Sequence, residues 1–537
     1  MTMIKQSKVK SYCWILLLLL PLMAAVQIIR NDAIGAMQKR PNILFCIADD
    51  ASYRHMSAYG LSNKWVSTPG FDRVASNGIL FENAFTPNAK CAPSRSCILT
   101  GRNPWQLEEA ANHVPFFPAK FSSWVEKLSN AGYLTGFTGK GWGPGDPGEI
   151  NGSPRLLTGK HYNEIKMDAP TKAISPVNYA ANLEVFLKDR NSDQPFCFWY
   201  GGHEPHRVYE YGSGAAKGNK KRSDIERVPA YWPDNDTVRN DMLDYAYEVE
   251  YFDQHLQKML RILEDAGELD NTIVIVTSDN GMPFPRTKGH VYEYDNHLPL
   301  AIMWQDGIKS PGRKVSDFVS FTDFAPTLLE AAGLQGKTGM QIQGKSLLPV
   351  FASGKAGRTD QTRDHVLLGK ERTDVGRPHD QGYPVRGIVK DSLIYTINYE
   401  PDRWPAGNPE TGYLDTDGSP TKTVLLKAKR AGEDQERWNL SFGKKGAEEL
   451  YNYLKDPDAM TDLAKDPAYA KVKNALRTQL EKELKSQNDP RMFGKGDVFD
   501  SYPFAEPASR NFYERYMKGE KMKAGWVNAS DFEKIKP

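Results

Sequence analysis

Short hydrophobic runs recur along the first half of the chain, and each run ends in a cluster of polar residues. The runs are rich in Ile, Val, Phe and Tyr, which favour strands, and nearly continuous hydrophobicity is typical of strands buried on both faces. They read NILFCIADD (42–50), GYLTGFTGKGW (132–142), PFCFWYGGHEPHR (195–207) and NTIVIVTSDNG (271–281). The pattern predicts four strands that end in polar residues.

Segments with helical periodicity separate these runs. They include FSSWVEKLSNAG (121–132), YAYEVEYFDQHLQKMLRILEDAG (245–267) and TDFAPTLLEAAG (322–333). Strands that alternate with helices predict an α/β fold, with a large, mainly parallel or mixed sheet sandwiched by helices. Ligands of such sheets bind beyond the carboxyl ends of the strands. The polar clusters occupy these ends, so we expect the functional site there.

The pattern loosens after about residue 354. A strand-like stretch, GIVKDSLIYTINY (387–399), and a helix-like one, YAKVKNALRTQLEKELKSQ (469–487), predict a smaller C-terminal α+β domain. We expect the large α/β domain to span residues 37–354 and the smaller domain residues 355–490. Residues 491–537 are rich in aromatic and charged side chains without periodicity, which predicts a tail that wraps the surface.

The N-terminus has the form of a secretory signal. Lys5, Lys8 and Lys10 precede the apolar run CWILLLLLPLMAAVQII (13–29), and the chain turns polar at Arg30. An uncleaved membrane anchor is the alternative, but Pro21 interrupts a run that barely reaches the roughly 20 residues of a spanning helix. We therefore predict a signal peptide at residues 1–36 and export to a periplasm, the cell exterior or a secretory lumen. No stable membrane insertion is expected after cleavage.

Composition excludes one class of partner. Among 537 residues, 69 Lys and Arg face 67 Asp and Glu, and these charges are interspersed along the chain. The basic stripe of a nucleic-acid-binding protein is missing from this pattern. Any anionic ligand must therefore be bound by a local group of cationic side chains.

Acidic and amide side chains end two of the predicted strands. Asp49 and Asp50 follow the first, and Asp279 and Asn280 follow the fourth. Adjacent buried carboxylates are unfavourable unless a cation neutralises them. A set of oxygen donors without nearby Cys or His spacing suits a hard cation, Ca²⁺ first and Mg²⁺ less well, rather than zinc. Solvated turn residues are the alternative for either pair alone.

Cationic side chains lie in or just after the same clusters. Arg95, Lys140 and Lys288 could bind a tetrahedral oxyanion beside such a metal, although each alone is more often a surface charge. His203 and His206 end the third strand and are candidates for proton transfer.

Cys91 lies in the polar stretch NAKCAPSRSCILTGR (88–102). Pro93 suits the first turn of a helix, so we expect a short helix with Cys91 at or just before its N-terminus, where an anionic group is favoured. A thiolate nucleophile is one possibility, but an oxygen nucleophile is better matched to a hard cation. Cys46, Cys97 and Cys197 are expected to be buried and inert.

These motifs resemble the sulfatase family. CAPSRSCILTGR (91–102) matches the signature CxPSRxxxLTG at every defined position. The resemblance extends from about Arg40 to Asp466 and is strongest in the heparan N-sulfatase (sulfamidase) branch. It includes RPNILFCIADD, STPGFDRVASNGILFENAF, TGKGW, HEPHR, SDNGMPFPRTK, SFTDFAPTLLEAAG and ELYNYLKDPDAMTDLAKDP.

The resemblance implies a sulfatase-like, alkaline-phosphatase-like fold and a specific chemistry. A maturation enzyme would convert Cys91 to formylglycine, whose hydrated aldehyde attacks sulfur, and the resulting hemiacetal sulfate collapses with release of inorganic sulfate. The matching positions imply that Asp49, Asp50, Asp279 and Asn280, with residue 91, hold calcium. They also imply roles for Arg95 in orienting the diol, for Lys140 and Lys288 in binding sulfate, and for His203 in protonating the leaving group.

The chain departs from the family at two positions. Trp142 replaces a histidine thought to deprotonate the diol, for which His206 is a substitute candidate, and His297 replaces an acidic residue of sulfamidases. A further loop, GKERTDVGRPHD (369–380), carries Glu371, Arg372 and His379 as candidate sugar contacts, or is only a solvated loop. His206 and His297 complete the set of predicted substrate-binding residues.

Two other functions remain open from the sequence. A phosphonate or phosphodiester hydrolase of the alkaline-phosphatase superfamily would share the sheet and the formylglycine signature. A carbohydrate-binding relic would retain the motif while Cys91 is never converted. The leading expectation is an exported, calcium-dependent sulfatase that acts on a sulfated saccharide and has no nucleic-acid partner.

Overall fold

Eight strands form one mixed sheet in the order β10–β2–β9–β8–β1–β7–β3–β6. The computed structural model describes residues 40–534, so the predicted signal peptide at residues 1–36 lies outside the described residues. The strands of this sheet are β1 (Asn42–Ala48), β2 (Ile79–Phe85), β3 (Leu134–Gly139), β6 (Lys160–His161), β7 (Phe196–Gly201), β8 (Thr272–Ser278), β9 (Leu300–Met303) and β10 (Arg313–Ser320). The four predicted strands are β1, β3, β7 and β8.

Most neighbouring strands of this sheet are parallel. β1 pairs in parallel with β7 and β8, and β3 pairs in parallel with β7 and β6. β9 runs antiparallel to both β2 and β8. The predicted mainly parallel or mixed sheet of an α/β fold is therefore confirmed.

Helices cover both faces of the main sheet, and further helices belong to the C-terminal part of the described chain. Their bounds are α1 (Pro69–Ser76), α2 (Cys91–Thr100), α3 (Trp124–Asn130), α4 (Tyr179–Lys188), α5 (Ser213–Ala216), α6 (Asp236–Asp265), α7 (Glu293–Asn296), α8 (Phe324–Ala331), α9 (Leu348–Ser353), α10 (Pro420–Arg430), α11 (Gln435–Phe442), α12 (Ala470–Ser486), α13 (Val498–Ser501) and α14 (Phe512–Met517). The three helices predicted in the first part of the chain are α3, α6 and α8.

Strand β1 shows why its sequence is hydrophobic at every position. Successive side chains of a strand point to opposite faces: Leu44 and Cys46 join the core beneath α4 and α6, whereas Ile43 and Phe45 join the core beneath α2, α3 and α8. Burying each large apolar side chain contributes about 1.5–3 kcal/mol. The two faces together fix β1 at the centre of three layers.

A second, smaller sheet is antiparallel. It contains β11 (His365–Lys370), β12 (Val385–Lys390), β13 (Leu393–Asn398) and β14 (Glu448–Asn452), whereas β4 (Glu149–Ile150) and β5 (Ser153–Pro154) form a separate pair. Helix α12 packs on the smaller sheet through Leu476, Leu480 and Leu484, which recur every four residues on one face. Asn42 and the residues after it form one compact unit, and a domain boundary near residue 354 stays a prediction.

The C-terminal segment packs onto the rest of the fold. Phe504 and Phe512 are buried with Val114 and Leu414, and the Ala505 amide donates a hydrogen bond to the Val114 carbonyl oxygen at 2.8 Å. Between residues 40 and 534, no helix combines the length and hydrophobicity needed to cross a bilayer.

Candidate active site

Strand register brings the predicted carboxylates together. Ala48 of β1 pairs with Ser278 of β8, so the residues that follow each strand lie side by side. The Asp50 amide donates to Asp279 Oδ1 at 3.1 Å, and Asn280 Nδ2 donates to Asp50 Oδ1 at 2.7 Å. Asp49, like these three residues, is almost fully buried.

Cys91 faces this group from the start of α2. The helix begins at Cys91, as the sequence predicts, and the Cys91 thiol donates to Asp49 Oδ1 at 3.6 Å. Burial raises the pKa of the Cys91 thiol well above its ordinary value, against the lowering effect of Lys140. The unmodified side chain is therefore a neutral thiol in these surroundings rather than a thiolate nucleophile.

The three predicted cationic residues pair with these carboxylates. Arg95 Nε donates to Asp279 Oδ2 at 2.8 Å, and Lys140 Nζ donates to Asp49 Oδ2 at 2.6 Å. Lys288 Nζ donates to Asp50 Oδ2 at 2.7 Å. Each cation thus lies beside a different carboxylate at the end of the sheet.

Backbone packing holds Lys140 in place at the end of β3. A Cβ atom added to Gly201 of β7 would lie 1.8 Å from the Lys140 carbonyl oxygen. Only glycine fits at that distance, and the same carbonyl oxygen accepts a hydrogen bond from Arg95 Nη1 at 3.1 Å. The close approach of the two strand ends therefore links Lys140 to Arg95.

Two histidines from the loop after β7 face the site. His206 Nδ1 lies 2.7 Å from the Arg207 carbonyl oxygen, which can only accept, so Nδ1 carries a proton and, in the neutral ring, Nε2 is the acceptor. His206 Nε2 lies 3.8 Å from Asp50 Oδ2. His203 is exposed at the surface. Desolvation nevertheless has a larger effect than the negative charge of Asp49 and lowers the pKa of His203 to about 4.

The donor set fits a hard cation. One oxygen each from Asp49 and Asp279 lies within 4.8 Å of Cys91 Sγ and of each other. Asn280 Oδ1 is buried without a hydrogen-bond partner among residues 40–534, and a buried acceptor without a partner is costly. Burial and the nearby Asp49 raise the pKa of Asp279. A cation bound here would satisfy Asn280 Oδ1 and relieve the crowding of the carboxylates.

A cavity of about 580 Å³ opens over these residues. Its wall includes Cys91, Lys140, Lys288 and both histidines. Its volume lies in the range of roughly 300–1,000 Å³ that is usual for small-ligand sites. The cavity is therefore large enough for a substituted sugar ring.

Several cavity residues were missed by the sequence reasoning. Lys90 Nζ lies 2.9 Å from Asp374 Oδ2, and His113 Nδ1 lies 3.0 Å from Asp374 Oδ1. Asp417 Oδ2 accepts from Lys288 Nζ at 2.9 Å. The other missed members of the wall are Val114, Pro144, Ala173, Ser175, Glu204, Arg207, Glu248, Phe504, Glu506 and Trp526.

The structure places four of the predicted substrate-binding residues away from the cavity. The wall of the cavity, as residues 40–534 define it, does not include His297, Glu371, Arg372 or His379. His297 is buried with Nδ1 3.0 Å from Glu293 Oε1 and Nε2 2.8 Å from the Glu82 carbonyl oxygen. Both ring nitrogens are thus engaged within the protein.

Three charged residues of the loop that was predicted to bind sugar have contacts within the protein. Glu371 lies between Arg386 and Arg491, at 2.6 Å from each, and Arg372 Nη1 donates to the Tyr502 carbonyl oxygen at 2.7 Å. The His379 side chain is 78% exposed and lies 3.5 Å from Glu514. Glu371 and Arg372 are thus engaged in contacts within the protein, whereas Asp374 of the same loop lines the cavity.

Trp142 does not line the cavity formed by the described residues. Its Nε1 donates to Ser96 Oγ at 2.9 Å, and its ring packs edge-on against Phe117 with centroids 5.2 Å apart. The indole therefore supports α2 and does not face Cys91.

The fold and the site together define an α/β protein with paired carboxylate and cationic side chains buried at the end of its sheet. Residues 41–334, more than half of the chain, match the sulfatase family. The chain belongs to the sulfatase family.

Individual relatives support the same assignment. The chain is 28% identical over 504 residues to human N-sulphoglucosamine sulphohydrolase, an alignment that covers 85% of this chain and 92% of the human protein. A solved structure of a protein bound to its substrate D-glucosamine-2-N,6-O-disulfate matches with a TM-score of 0.59 and 22% identity, over 84% of this chain and 99% of that one. The phosphonate monoester hydrolase of Agrobacterium radiobacter matches with a TM-score of 0.58 and 18% identity, over 83% and 96%. These structural similarities show the sulfatase-like, alkaline-phosphatase-like fold.

Proposed function

We propose that this chain is an exported sulfatase that hydrolyses sulfate esters or N-sulfate groups of sulfated saccharides. The observation that carries the proposal is the placement of Cys91, whose Sγ lies 3.6 Å from Asp49 Oδ1 beneath a cavity that Lys140 and Lys288 also line. In this proposal a maturation enzyme converts Cys91 to formylglycine, and the hydrated aldehyde supplies an oxygen nucleophile.

Calcium is the cation we propose for the site. Asp49, Asp50, Asp279 and Asn280 would hold it, with residue 91 beside them, and the unpartnered Asn280 Oδ1 supports this assignment. When bound, the cation would draw charge from the sulfate oxygens and offset the charge that builds up on the transferring group. Mg²⁺ is the weaker candidate, because it demands a more regular geometry.

The cationic side chains orient the reacting groups. Arg95 is fixed by Asp279 at 2.8 Å and by the Gly141 carbonyl oxygen at 2.7 Å, which suits it to orient the diol of residue 91. Lys140 and Lys288 carry ammonium groups that would donate charge-assisted hydrogen bonds to sulfate oxygens. Because carboxylates already hold these cationic side chains in position, the side chains need little reorganisation during the reaction.

The two histidines would divide the proton transfers. His203 lines the cavity and would protonate the leaving oxygen or nitrogen of the sugar once the negative charge of a bound sulfate has raised its pKa above that in the empty cavity. A ring nitrogen of His206, Cys91 Sγ and an Asp50 oxygen all lie within 4.8 Å of one another. His206 is therefore the candidate to deprotonate the diol in place of the family histidine that Trp142 replaces.

The relatives indicate a substrate class. One acts, by its name, on N-sulphoglucosamine, and another was solved with glucosamine 2-N,6-O-disulfate as its substrate. The cavity of about 580 Å³ holds hydrogen-bonding side chains on several sides, which suits a sugar ring with many hydroxyl groups. We propose a sulfated glucosamine-type saccharide as the substrate.

A panel of substrates tests this function. The full chain would be produced with a formylglycine-generating enzyme, and inorganic sulfate would be measured from 4-methylumbelliferyl sulfate, N-sulfoglucosamine and glucosamine 6-O-sulfate. We expect release that depends on Cys91 and disappears in Cys91→Ala. Much faster turnover of a phosphodiester or phosphonate than of every sulfate would instead favour a phosphorus ester hydrolase, whose fold this chain shares.

A further inference from the structure

We propose that Lys90 and Asp374 form a hydroxyl-binding subsite that recognises the sugar ring next to its sulfate group. This inference rests on the proposed function and deepens it. One hydroxyl group can accept a hydrogen bond from an ammonium group and donate its own proton to a carboxylate. Lys90 and Asp374 offer these two partners side by side in the cavity.

Distances and burial define the pair. Lys90 Nζ lies 2.9 Å from Asp374 Oδ2, and both side chains are 4% exposed. Both residues line the same cavity as Cys91. Among the described residues, the Asp374 carboxylate is the ion-pair partner of Lys90 Nζ. Neither residue has a role in the reaction proposed above.

Asp374 has an unused acceptor. Its Oδ2 atom is buried and lacks a hydrogen-bond partner of good geometry among residues 40–534, despite the nearby ammonium group. Its Oδ1 atom faces His113 Nδ1 at 3.0 Å. A carboxylate oxygen can accept more than one hydrogen bond, so a ligand hydroxyl that donates to Oδ2 would add to the ion pair with Lys90.

Neighbouring contacts hold the pair rigidly. The Asp374 amide donates to Asp415 Oδ1 at 3.1 Å, and the His113 amide donates to the Arg372 carbonyl oxygen at 3.0 Å. Lys90 precedes α2 directly, and its carbonyl oxygen accepts from the Ser94 amide at 2.9 Å. Because the backbone of all three residues is anchored, the donor and the acceptor are preorganised for a ligand.

The position of Lys90 and Asp374 explains why they would bind the sugar ring rather than the sulfate group. Lys90 is adjacent in sequence to Cys91, so a sulfate beside residue 91 places the attached ring within the same cavity. Lys140 and Lys288 already face the carboxylates that surround Cys91. Lys90 is instead paired with a carboxylate that also contacts His113 and that is not among the proposed metal ligands.

The experiment compares substrates that do and do not carry a sugar. We would measure kcat/KM of the wild type and of Asp374→Asn for glucosamine 6-O-sulfate, N-sulfoglucosamine and the aryl sulfate 4-methylumbelliferyl sulfate. We expect the variant to lose about 10- to 100-fold more on the saccharide that the enzyme prefers than on the aryl sulfate. An equal loss on both kinds of substrate would overturn the subsite.

Deoxy analogues identify the hydroxyl group. Removing the recognised hydroxyl from the preferred saccharide should lower kcat/KM of the wild type by a similar factor but cause little further loss in Asp374→Asn. If every deoxy analogue has the same effect in both proteins, the pair does not bind a hydroxyl. Lys90→Met is the second variant. Mass spectrometry would check that Cys91 is converted to formylglycine in this variant.

A matched control separates binding from folding. Lys422 and Asp531 form another fully buried pair, 3.1 Å apart, that does not line the described cavity. Asp531→Asn should destabilise the fold without changing the ratio of saccharide to aryl sulfate turnover. A changed ratio in this control would count against the subsite.

Binding measurements test the subsite independently of the proposed sulfatase activity. If the wild type hydrolyses no sulfate at all, the proposed function fails. Calorimetry with glucosamine 6-O-sulfate would still compare the wild type with Asp374→Asn. Weaker binding to the variant supports the subsite, and equal binding or no binding overturns it.

Discussion

The ammonium group of Lys288 lies 2.9 Å from Asp417 Oδ2, although 129 positions separate the two residues in the chain. Asp50 Oδ2 holds the same ammonium group from the other side at 2.7 Å. Lys288 is therefore fixed between a carboxylate at the end of the main sheet and one from the Gly- and Pro-rich stretch before α10. This arrangement makes Asp417 a positioning residue for the proposed sulfate contact.

Asp417→Asn should lower kcat/KM for sulfate substrates by about tenfold, because Lys288 would lose one of the two charged partners that orient it. The decrease should appear with aryl and saccharide sulfates alike, in steady-state assays. Asp323→Asn is the control, since Asp323 is a buried partner of Arg363 at 2.6 Å outside the described cavity. If the two variants lose the same activity, Asp417 has no specific effect on Lys288.

Trp142→His should not raise kcat. The side chain at position 142 contacts Ser96 and Phe117, so a histidine there would be directed at α2 rather than at residue 91. The half-buried indole also contributes packing, and its loss should reduce the free energy of unfolding by about 1–2 kcal/mol. Kinetics and thermal unfolding of the variant check both statements. A clear gain in kcat would show that a histidine at this position does reach the diol and that His206 is not an adequate substitute.

Calcium should stabilise the folded protein, and Asn280→Ala should weaken that effect. A ligand at about 100 times its dissociation constant stabilises the state that binds it by about 2.7 kcal/mol, so the Tm of the wild type should rise with calcium. Asn280→Ala removes the buried oxygen that lacks a partner and should need more calcium for the same shift. Asn296→Ala is matched, because Asn296 Oδ1 is also buried without a partner but lies outside the proposed donor set. Identical calcium dependence in all three proteins would argue against a cation at Asn280.

His365 should make stability depend on pH away from the site. Its Nε2 lies 2.9 Å from Glu483 Oε1 of α12 and its Nδ1 2.6 Å from Asp364 Oδ1. Burial lowers the pKa of His365, but the hydrogen bonds to Glu483 and Asp364 outweigh burial and raise it. Protonation thus favours the folded state, so this contribution is complete below the ordinary histidine pKa of about 6.5 and is lost as pH rises through the folded-state value.

The corresponding variant is His365→Gln, which keeps a hydrogen-bond donor but cannot be charged. Denaturant unfolding should show a larger loss of stability at pH 6 than at pH 8.5. A loss of equal size at both pH values would mean that the charge on His365 contributes nothing.

Local patterns predicted the centre of the site because the end of each strand can be recognised from a short run of sequence. The runs that became β1 and β8 are parallel neighbours, so Asp49, Asp50, Asp279 and Asn280 meet wherever the two strands end. The start of α2 at Cys91 likewise follows from Pro93 and the polar residues before it. Sequence alone was sufficient to predict that these residues lie together, and their roles stay predictions.

The wall of the cavity could not be predicted in the same way. Asp374 and Asp417 lie in irregular segments, and only long-range packing brings them to Lys90 and Lys288. At Glu371 the sequence shows a dense cluster of charges, and only the structure reveals that Arg386 and Arg491 are its partners. A sequence shows that charges are present, but the fold decides whether they pair with one another or face a cavity.

The most direct test of the account is the mass of the peptide that contains Cys91, measured by mass spectrometry on protein from a host that makes formylglycine. We predict that the peptide is lighter by the difference between a thiol and an aldehyde, and that its carbonyl group reacts with a hydrazide probe. The Cys97 thiol, buried in the same helix, should be unchanged and is the internal control. An intact thiol at Cys91 in folded protein from that host would contradict the proposed mechanism.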